Sequence, residues 1–262
     1  MHPALWISKT GLEAQTKDLA VISNNLANAG TVGFKKSRVA FEDLFYQNLR
    51  QPGADSSADT RLPSGLQLGT GVKVVATQKI HSQGNFQTSD NQLDMAIQGA
   101  GFFQVLLPDG TNGYSRAGNF TLDENGQIVT QGSGYVLQPA ITVPQGATSL
   151  DVSIDGTISA QEPGQAAPTN LGQLQLASFI NPAGLQPVGE NLYIETGSSG
   201  APVLGTPGLD GLGQLRGGQL ETSNVSTVEE LVSLIETQRT YETNTKVLSA
   251  VDQMLQYVNQ NL

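Results

Sequence analysis

Histidine, cysteine and paired carboxylates are the residues through which this chain could do chemistry, and they are few and scattered. The only histidines are His2 and His81. A metal site or a histidine-based triad needs such groups clustered, so neither is supported. There is no cysteine, which excludes thiol catalysis and a disulfide framework. Asp90 with Asp94, or Asp123 with Glu124, could be read as the acid and base of a glycosidase. Each pair sits among turn-forming residues, where Asp ordinarily bonds local backbone. Asp123-Glu124-Asn125-Gly126 lacks the alternating ligands and closing Glu of a calcium loop. Gly211, Gly213 and Gly217 miss the dinucleotide-binding spacing by one position. The expectation is a chain that is not an enzyme, with no catalytic residue, cofactor or metal. Trp6 reads as a packing anchor.

The spacing that does stand out is apolar. Leu5, Leu12, Leu19 and Leu26 fall seven apart, with Ile22 between the last two. Tyr241, Leu248, Leu255 and Leu262 repeat the interval near the other end, with Val251 and Val258 between them. Such spacing lays a seam along one side of a helix and suits it to another helix. The first helix is predicted from about Pro3 to Asn28, with Asn28-Ala29-Gly30 as its stop. The second opens on Ser226-Thr227-Val228-Glu229, a capping box, and runs to the chain end, roughly 50 Å of rod. Its remaining surface carries Thr237, Gln238, Thr240, Asn244, Gln253 and Gln256 rather than the Glu and Lys of a solvated coiled coil. That favours contact with other subunits on several sides. A helical hairpin that merely closes the rest of the chain is the alternative.

Composition points the same way. Charged residues make up only 14% of the 262, well under the usual quarter. Amides, hydroxyls and glycine fill the deficit, and such a surface is cheap to dehydrate. The net charge of −10 argues against nucleic acid and anionic membranes, since the one basic cluster is Lys35, Lys36 and Arg38. No run approaches the ~18 apolar residues of a membrane span. The N-terminus lacks the basic leader and apolar run of a signal peptide.

Between the helices the chain reads as strands. Phe41 to Leu49 has the spacing of a helical turn or two. Gln51 to Gly71, rich in Pro, Gly, Asp and Ser, reads as extended sequence without regular structure. From Val72 onward short strands alternate with turns. Phe102 to Leu107 is a buried strand. Asn119–Leu122 and Gln127–Thr130 flank Asn125-Gly126, a strong hairpin signal. Further strands are predicted at 135–137, 150–154, 174–180 and 192–194. The fold class is α+β. A discontinuous coiled-coil domain of helices (residues 1–35 with 226–262) and a linker or insert (36–71) accompany a central antiparallel all-β domain (72–225).

The sequence resembles bacterial flagellar rod and hook proteins. Thr10-Gly11-Leu12-Glu13-Ala14, then Ser23-Asn24-Asn25-Leu26-Ala27-Asn28 and Gly33-Phe34-Lys35, are similar to that family's N-terminal signature. Gly30-Thr31 departs from the usual Asn-Thr. Leu93-Asp94-Met95-Ala96-Ile97 with Gly99, Gly101, Phe102 and Phe103 resembles the shared β-domain motif, as does Tyr114 to Phe120. Gly218 to Ser226, Glu229-Glu230-Leu231-Val232 and Gln238-Arg239 with Tyr241-Glu242 complete the likeness. It covers nearly the whole chain. Length and the insert, marked by Gln51, Pro52, Asp55, Asp59, Pro63 and Leu66, are most like the distal-rod members. A proximal rod or hook-type subunit is the alternative within the family.

The resemblance implies a homo-polymer, a rigid helical tube spanning the periplasm as a drive shaft. It implies proximal rod proteins and hook-side junction proteins as neighbours, and peptidoglycan and outer-membrane rings as a surrounding bushing. It implies passage through the flagellar type III export apparatus without a cleaved signal peptide. The seam residues would then be the assembly interface, and the insert a bridge to adjacent subunits. A secreted β-rich polysaccharide-binding module is the competitor from another class, but it needs exposed aromatic platforms. A cell-wall hydrolase acting beside the rod is a third, disfavoured by the sparse catalytic residues.

Overall fold

The computed structural model describes residues 3–51, 55–57, 60–61, 64–164 and 167–260. Its two helices are α1 (Pro3–Ala27) and α2 (Thr227–Gln260). The chain divides into two compact units. One holds residues 1–27, 37–78 and 226–262; the other holds 28–36 and 79–225.

In the helical unit α1 and α2 pack antiparallel. Asn25 lies at Glu230, Asp18 at Thr237, and Gln15 at Asn244. Helix α2 starts where Ser226 caps it: the Ser226 hydroxyl oxygen lies 3.4 Å from the Glu229 amide. Neither Pro nor Gly interrupts its 34 residues. No helix is long and apolar enough to cross a membrane, among the described residues.

The remainder of this unit is a two-stranded β ribbon built by nested pairings. Ser37–Asp43 pairs with Val72–Lys79. Gln47–Arg50 pairs antiparallel with Leu66–Leu68, and Asp55–Ser57 with Thr60–Arg61. Two expectations change here. The 41–49 stretch is not helical, and the following segment has regular structure. A short apolar run cannot be assigned to helix or strand by its period alone. The choice falls to backbone pairing, and the partner strands lie in the polar Gly-Pro sequence, as where the Leu44 amide donates to Gly71 at 2.9 Å. Pro52, Asp59 and Pro63 lie outside the described residues, as do Leu262 and His2.

The described strand pairings of the β unit are antiparallel. Its largest sheet has nine strands, with Phe102–Leu106 at the centre between Val136–Gln138 and Asn112–Ser115. Alternation along that strand sends successive side chains to opposite faces. Phe103 and Val105 join a large core with Met95, Ile97, Phe120, Ile128, Ile158, Leu176 and Leu215. Phe102 joins a second with Tyr114, Phe179, Leu185 and Tyr193. Edge-to-face contacts seat the rings, Phe103–Phe120 at 5.2 Å and Tyr114–Phe179 at 4.8 Å. The predicted hairpin forms, with Thr121 opposite Val129. A three-stranded sheet (Ser149–Val152, Thr157–Gln161, Thr169–Gln173) adds Val152 and Ile158 to the first core. Gly118 is where the backbone closes on the Met95 carbonyl; a Cβ there would stand 1.5 Å from that oxygen.

Candidate assembly surface

Two of the four candidate carboxylates, Asp94 and Asp123, hold turns. Asp94 accepts from Ser89 Oγ at 2.5 Å and from Asn91 Nδ2 at 2.9 Å. Asp123 Oδ1 accepts from the amides of Asn125 at 2.9 Å and Gln127 at 2.7 Å. No group of three or more His, Asp or Glu side chains is placed to hold a metal, among the described residues.

One buried charge cluster does exist in the β unit. Lys35 Nζ lies 2.6 Å from Glu221 Oε1, and Arg116 Nη1 lies 3.4 Å from Glu221 Oε2. Backbone groups complete the shell. Lys35 donates to Ser82 O at 2.8 Å, Arg116 Nη2 donates to Gly99 O at 2.6 Å, and the Gly84 amide donates to Glu221 at 2.9 Å. Burial pushes both Lys35 and Arg116 below their ordinary pKa, while Glu221 pulls each back up. His81 packs edge-on to Phe102 and Tyr193. Burial, and then the charges of Lys35, Arg116 and Lys79, lower its pKa to about 4, so it is neutral at pH 7. The Pro182 carbonyl opposes that shift without reaching hydrogen-bonding geometry at either ring nitrogen.

This cluster is structural. It ties the segment entering the β unit at Lys35 to the one leaving it at Glu221. Neighbouring bonds repeat the tie: Gly33 N to Glu221 O at 2.8 Å, and Lys36 N to Asn224 Oδ1 at 2.8 Å. Gly33 sits at φ +69°, where a Cβ would strike Ala117. Phe34 is buried under the Lys79 ammonium, 4.4 Å from its ring centre. In sequence, Lys35 stands in the basic cluster with Lys36 and Arg38. Only the distance to its partner, 186 residues on, hid its role.

The seam residues occupy a different situation. Leu5, Leu12, Leu19, Leu26 and Leu248 are half-buried; Ile22 and Val251 are buried; Tyr241, Leu255 and Val258 are exposed. Side-chain hydrogen bonds also link the two helices. Asn25 Nδ2 donates to Glu230 at 3.2 Å and to Ser37 O at 2.9 Å, while the Ser37 amide donates back to Asn25 Oδ1 at 2.9 Å. Asn25 thereby pairs with Ser37 as a neighbouring strand residue would. The Thr237 hydroxyl lies 3.3 Å from Asp18 Oδ2, and burial raises the Asp18 pKa. Sequence reasoning missed this polar line, although on α1 its seven-residue interval, Gly11, Asp18 and Asn25, stands one position before Leu12, Leu19 and Leu26.

Of the signature residues, Asn25, Gly33 and Phe34 are buried, Leu26 and Asn28 half-buried, and Ser23, Asn24, Ala27, Gln238 and Arg239 exposed. Helix α2 displays a further apolar face, Val228, Leu231, Val232 and Ile235, all exposed and spaced to lie together. Met254 and Tyr257 extend the exposed apolar surface toward its end. On the ribbon Phe41, Tyr46, Leu49, Leu66 and Leu68 are exposed, as is Gln51. Asp55 lies in its outermost described pairing. A groove of about 560 Å³ runs between the first turns of α1 and the ribbon, with Trp6, Ile7 and Leu68 on its walls. This unit offers apolar surface.

Comparison with known proteins agrees with that character. Residues 6–35 match the sequence model of the flagella basal body rod protein family. Residues 96–160 match the flagellar hook protein FlgE/F/G D1 domain, and 216–261 the flagellar basal body rod FlgEFG protein C-terminal family. The flagellar basal-body rod protein FlgG of Buchnera aphidicola (subsp. Acyrthosiphon pisum) is 55% identical over 99% of this chain and 100% of its own. That of Caulobacter vibrioides is 46% identical over 98% of each, and that of Bacillus subtilis 37% identical over 98% of this chain and 97% of its own. With its helical ends, its β unit and its full length all shared with these relatives, the chain belongs to the flagellar basal-body rod protein FlgG family.

Proposed function

We infer that the chain is a structural subunit of the distal rod of the bacterial flagellar basal body. It polymerises through its helical unit into a rigid tube that carries torque from motor to hook. The observation that carries the reading is the exposed apolar surface of α2: Val228 and Tyr257 are each 70% exposed and Val258 52%. A helix about 50 Å long with such a surface gains stability when neighbours cover it. A contact that does not close on itself builds a helical filament. The Leu5–Leu26 and Tyr241–Leu262 seams form the assembly interface, packed as coiled coil with adjacent subunits. Residues 1–35 with 226–262 make the tube core, 36–71 the rod-specific insert and 72–225 the outer β domain.

As a rod subunit the protein neighbours proximal rod proteins on one side and hook-side junction proteins on the other, inside the peptidoglycan and outer-membrane rings. It crosses the inner membrane through the flagellar export apparatus and acts in the periplasm. Its work is mechanical and needs no catalytic group. The ribbon bridges subunits and resists sliding, so deleting residues 51–66 gives a more bendable filament; unchanged stiffness in electron micrographs contradicts that. The decisive test of the whole reading removes residues 1–27 and 226–262 while keeping Lys35. A soluble, folded product that no longer polymerises supports it, and retained filaments overturn it.

A further inference from the structure

Seven-residue apolar repeats have a weakness: a slip of one heptad, about 10 Å along the helix, sets leucine on leucine again. Leu5, Leu12, Leu19 and Leu26 offer α2 the same side chain at every heptad and cannot by themselves distinguish such registers. The polar line can. Its members also fall seven apart, Gly11, Asp18 and Asn25 on α1 against Glu230, Thr237 and Asn244 on α2, but every level is chemically different. Asn25 reaches Glu230 at 3.2 Å, Asp18 lies 3.3 Å from Thr237, and a Cβ on Gly11 would stand 3.2 Å from Asn244 Nδ2. Gln15 adds a contact to the same Asn244 at 3.4 Å.

We propose that Asp18, Asn25, Glu230, Thr237 and Asn244 are the register-determining residues of the helix pair, admitting one antiparallel alignment of α1 on α2. Sliding α2 by one heptad in one direction brings Glu230 to Asp18. Two carboxylates then share a half-buried site, and like charges there repel. Burial already raises the Asp18 pKa in the native register, where its neighbour is a hydroxyl. Sliding the other way carries Glu230 past Ala27, the end of α1, and strips Asn25 of its carboxylate partner. Either error loses buried hydrogen bonds, whereas the leucine line is indifferent. Polar residues thus set alignment at some cost in stability, as a buried Asn does in coiled coils. The inference concerns pairing within one chain and is separate from whether chains assemble.

The absence of cysteine makes the test clean. Gly11→Cys with Asn244→Cys reports the native alignment, and Ala4→Cys with Asn244→Cys reports the slipped one. Oxidative cross-linking is read in rods isolated from cells. Intrachain links are those that migrate as single chains on denaturing gels. With the native charges the first pair should link and the second should not. Asp18→Lys offers Glu230 an opposite charge only in the slipped alignment and should shift the ratio toward the second pair by about fivefold or more. Asp18→Asn with Glu230→Gln, a milder change that keeps shape, should raise the slipped link from undetectable to measurable. The proposal is overturned if both reporters link equally with native charges, if the first pair does not link at all, or if neither substitution changes the ratio.

Discussion

The two units of this chain place their apolar residues differently. In the β unit Met95, Ile97, Phe103, Val105 and Leu215 have no exposed surface at all. In the helical unit the large apolar residues of α2 are mostly in the open, and amide, hydroxyl and carboxylate groups meet between the helices. Burial of apolar surface drives folding at about 25 cal/mol per Å². The β unit collects that stabilisation within its own sequence, and the helical unit leaves much of it for other chains. Under the proposed function, the contrast separates a part that folds alone from a part whose folding and association are one process.

The largest effect belongs to the β unit. Glu221→Ala leaves Lys35 and Arg116 buried without a counter-charge and should remove about 3–5 kcal/mol of that unit's stability. Urea unfolding followed by β-sheet circular dichroism measures it. If Glu221→Ala instead weakened only helix formation, the contrast would be broken.

Acid gives the next. His81 is held down to about 4 from 6.5. The unfolded chain therefore binds more protons between those values, so the stability of the neutral ring is complete above 6.5 and is lost as pH falls toward 4. The loss should approach about 3 kcal/mol, and His81→Phe should flatten the dependence. A pH profile unchanged by His81→Phe would contradict this.

Asn25→Ala strands the Ser37 backbone groups and Glu230, and should cost the helical unit about 1–3 kcal/mol. Its mark is a lower dissociation temperature of assembled rods, with the urea midpoint of the β unit unmoved. The smallest effect on the isolated chain sharpens the comparison most. Val228→Ser and Val258→Ser should each change monomer stability by less than about 0.5 kcal/mol yet impair polymerisation in a sedimentation assay. Normal sedimentation of both would place the interface elsewhere.

Local signals were legible in the sequence. Ser226 announces the start of α2, Asn125-Gly126 the hairpin, and the run from Phe102 a central strand. All are short-range rules that act within a turn or a strand. The ribbon was not legible, because Gln47–Arg50 finds its partner across a Gly-Pro segment with no apolar alternation. Nor was the Lys35–Glu221–Arg116 cluster, whose members are joined only by the tertiary fold. The leucine interval drew attention to one line of α1, while Asp18 and Asn25, one position before Leu19 and Leu26, make polar contacts with α2; their partners Glu230 and Thr237 lie on the heptad position of Val251 and Val258. Periodicity gives the spacing of a contact line, but which of two adjacent lines faces the partner depends on the packing.

Amide hydrogen exchange on the same protein, once as a dilute monomer and once in assembled rods, tests the central contrast most directly. The account predicts that Met95–Gln98, Phe102–Leu106 and Gln214–Gly217 are protected in both samples, whereas the amides of α2 exchange fast in the monomer and are protected only in the rod. Protection of α2 in the strictly monomeric sample equal to that in the rod would contradict it.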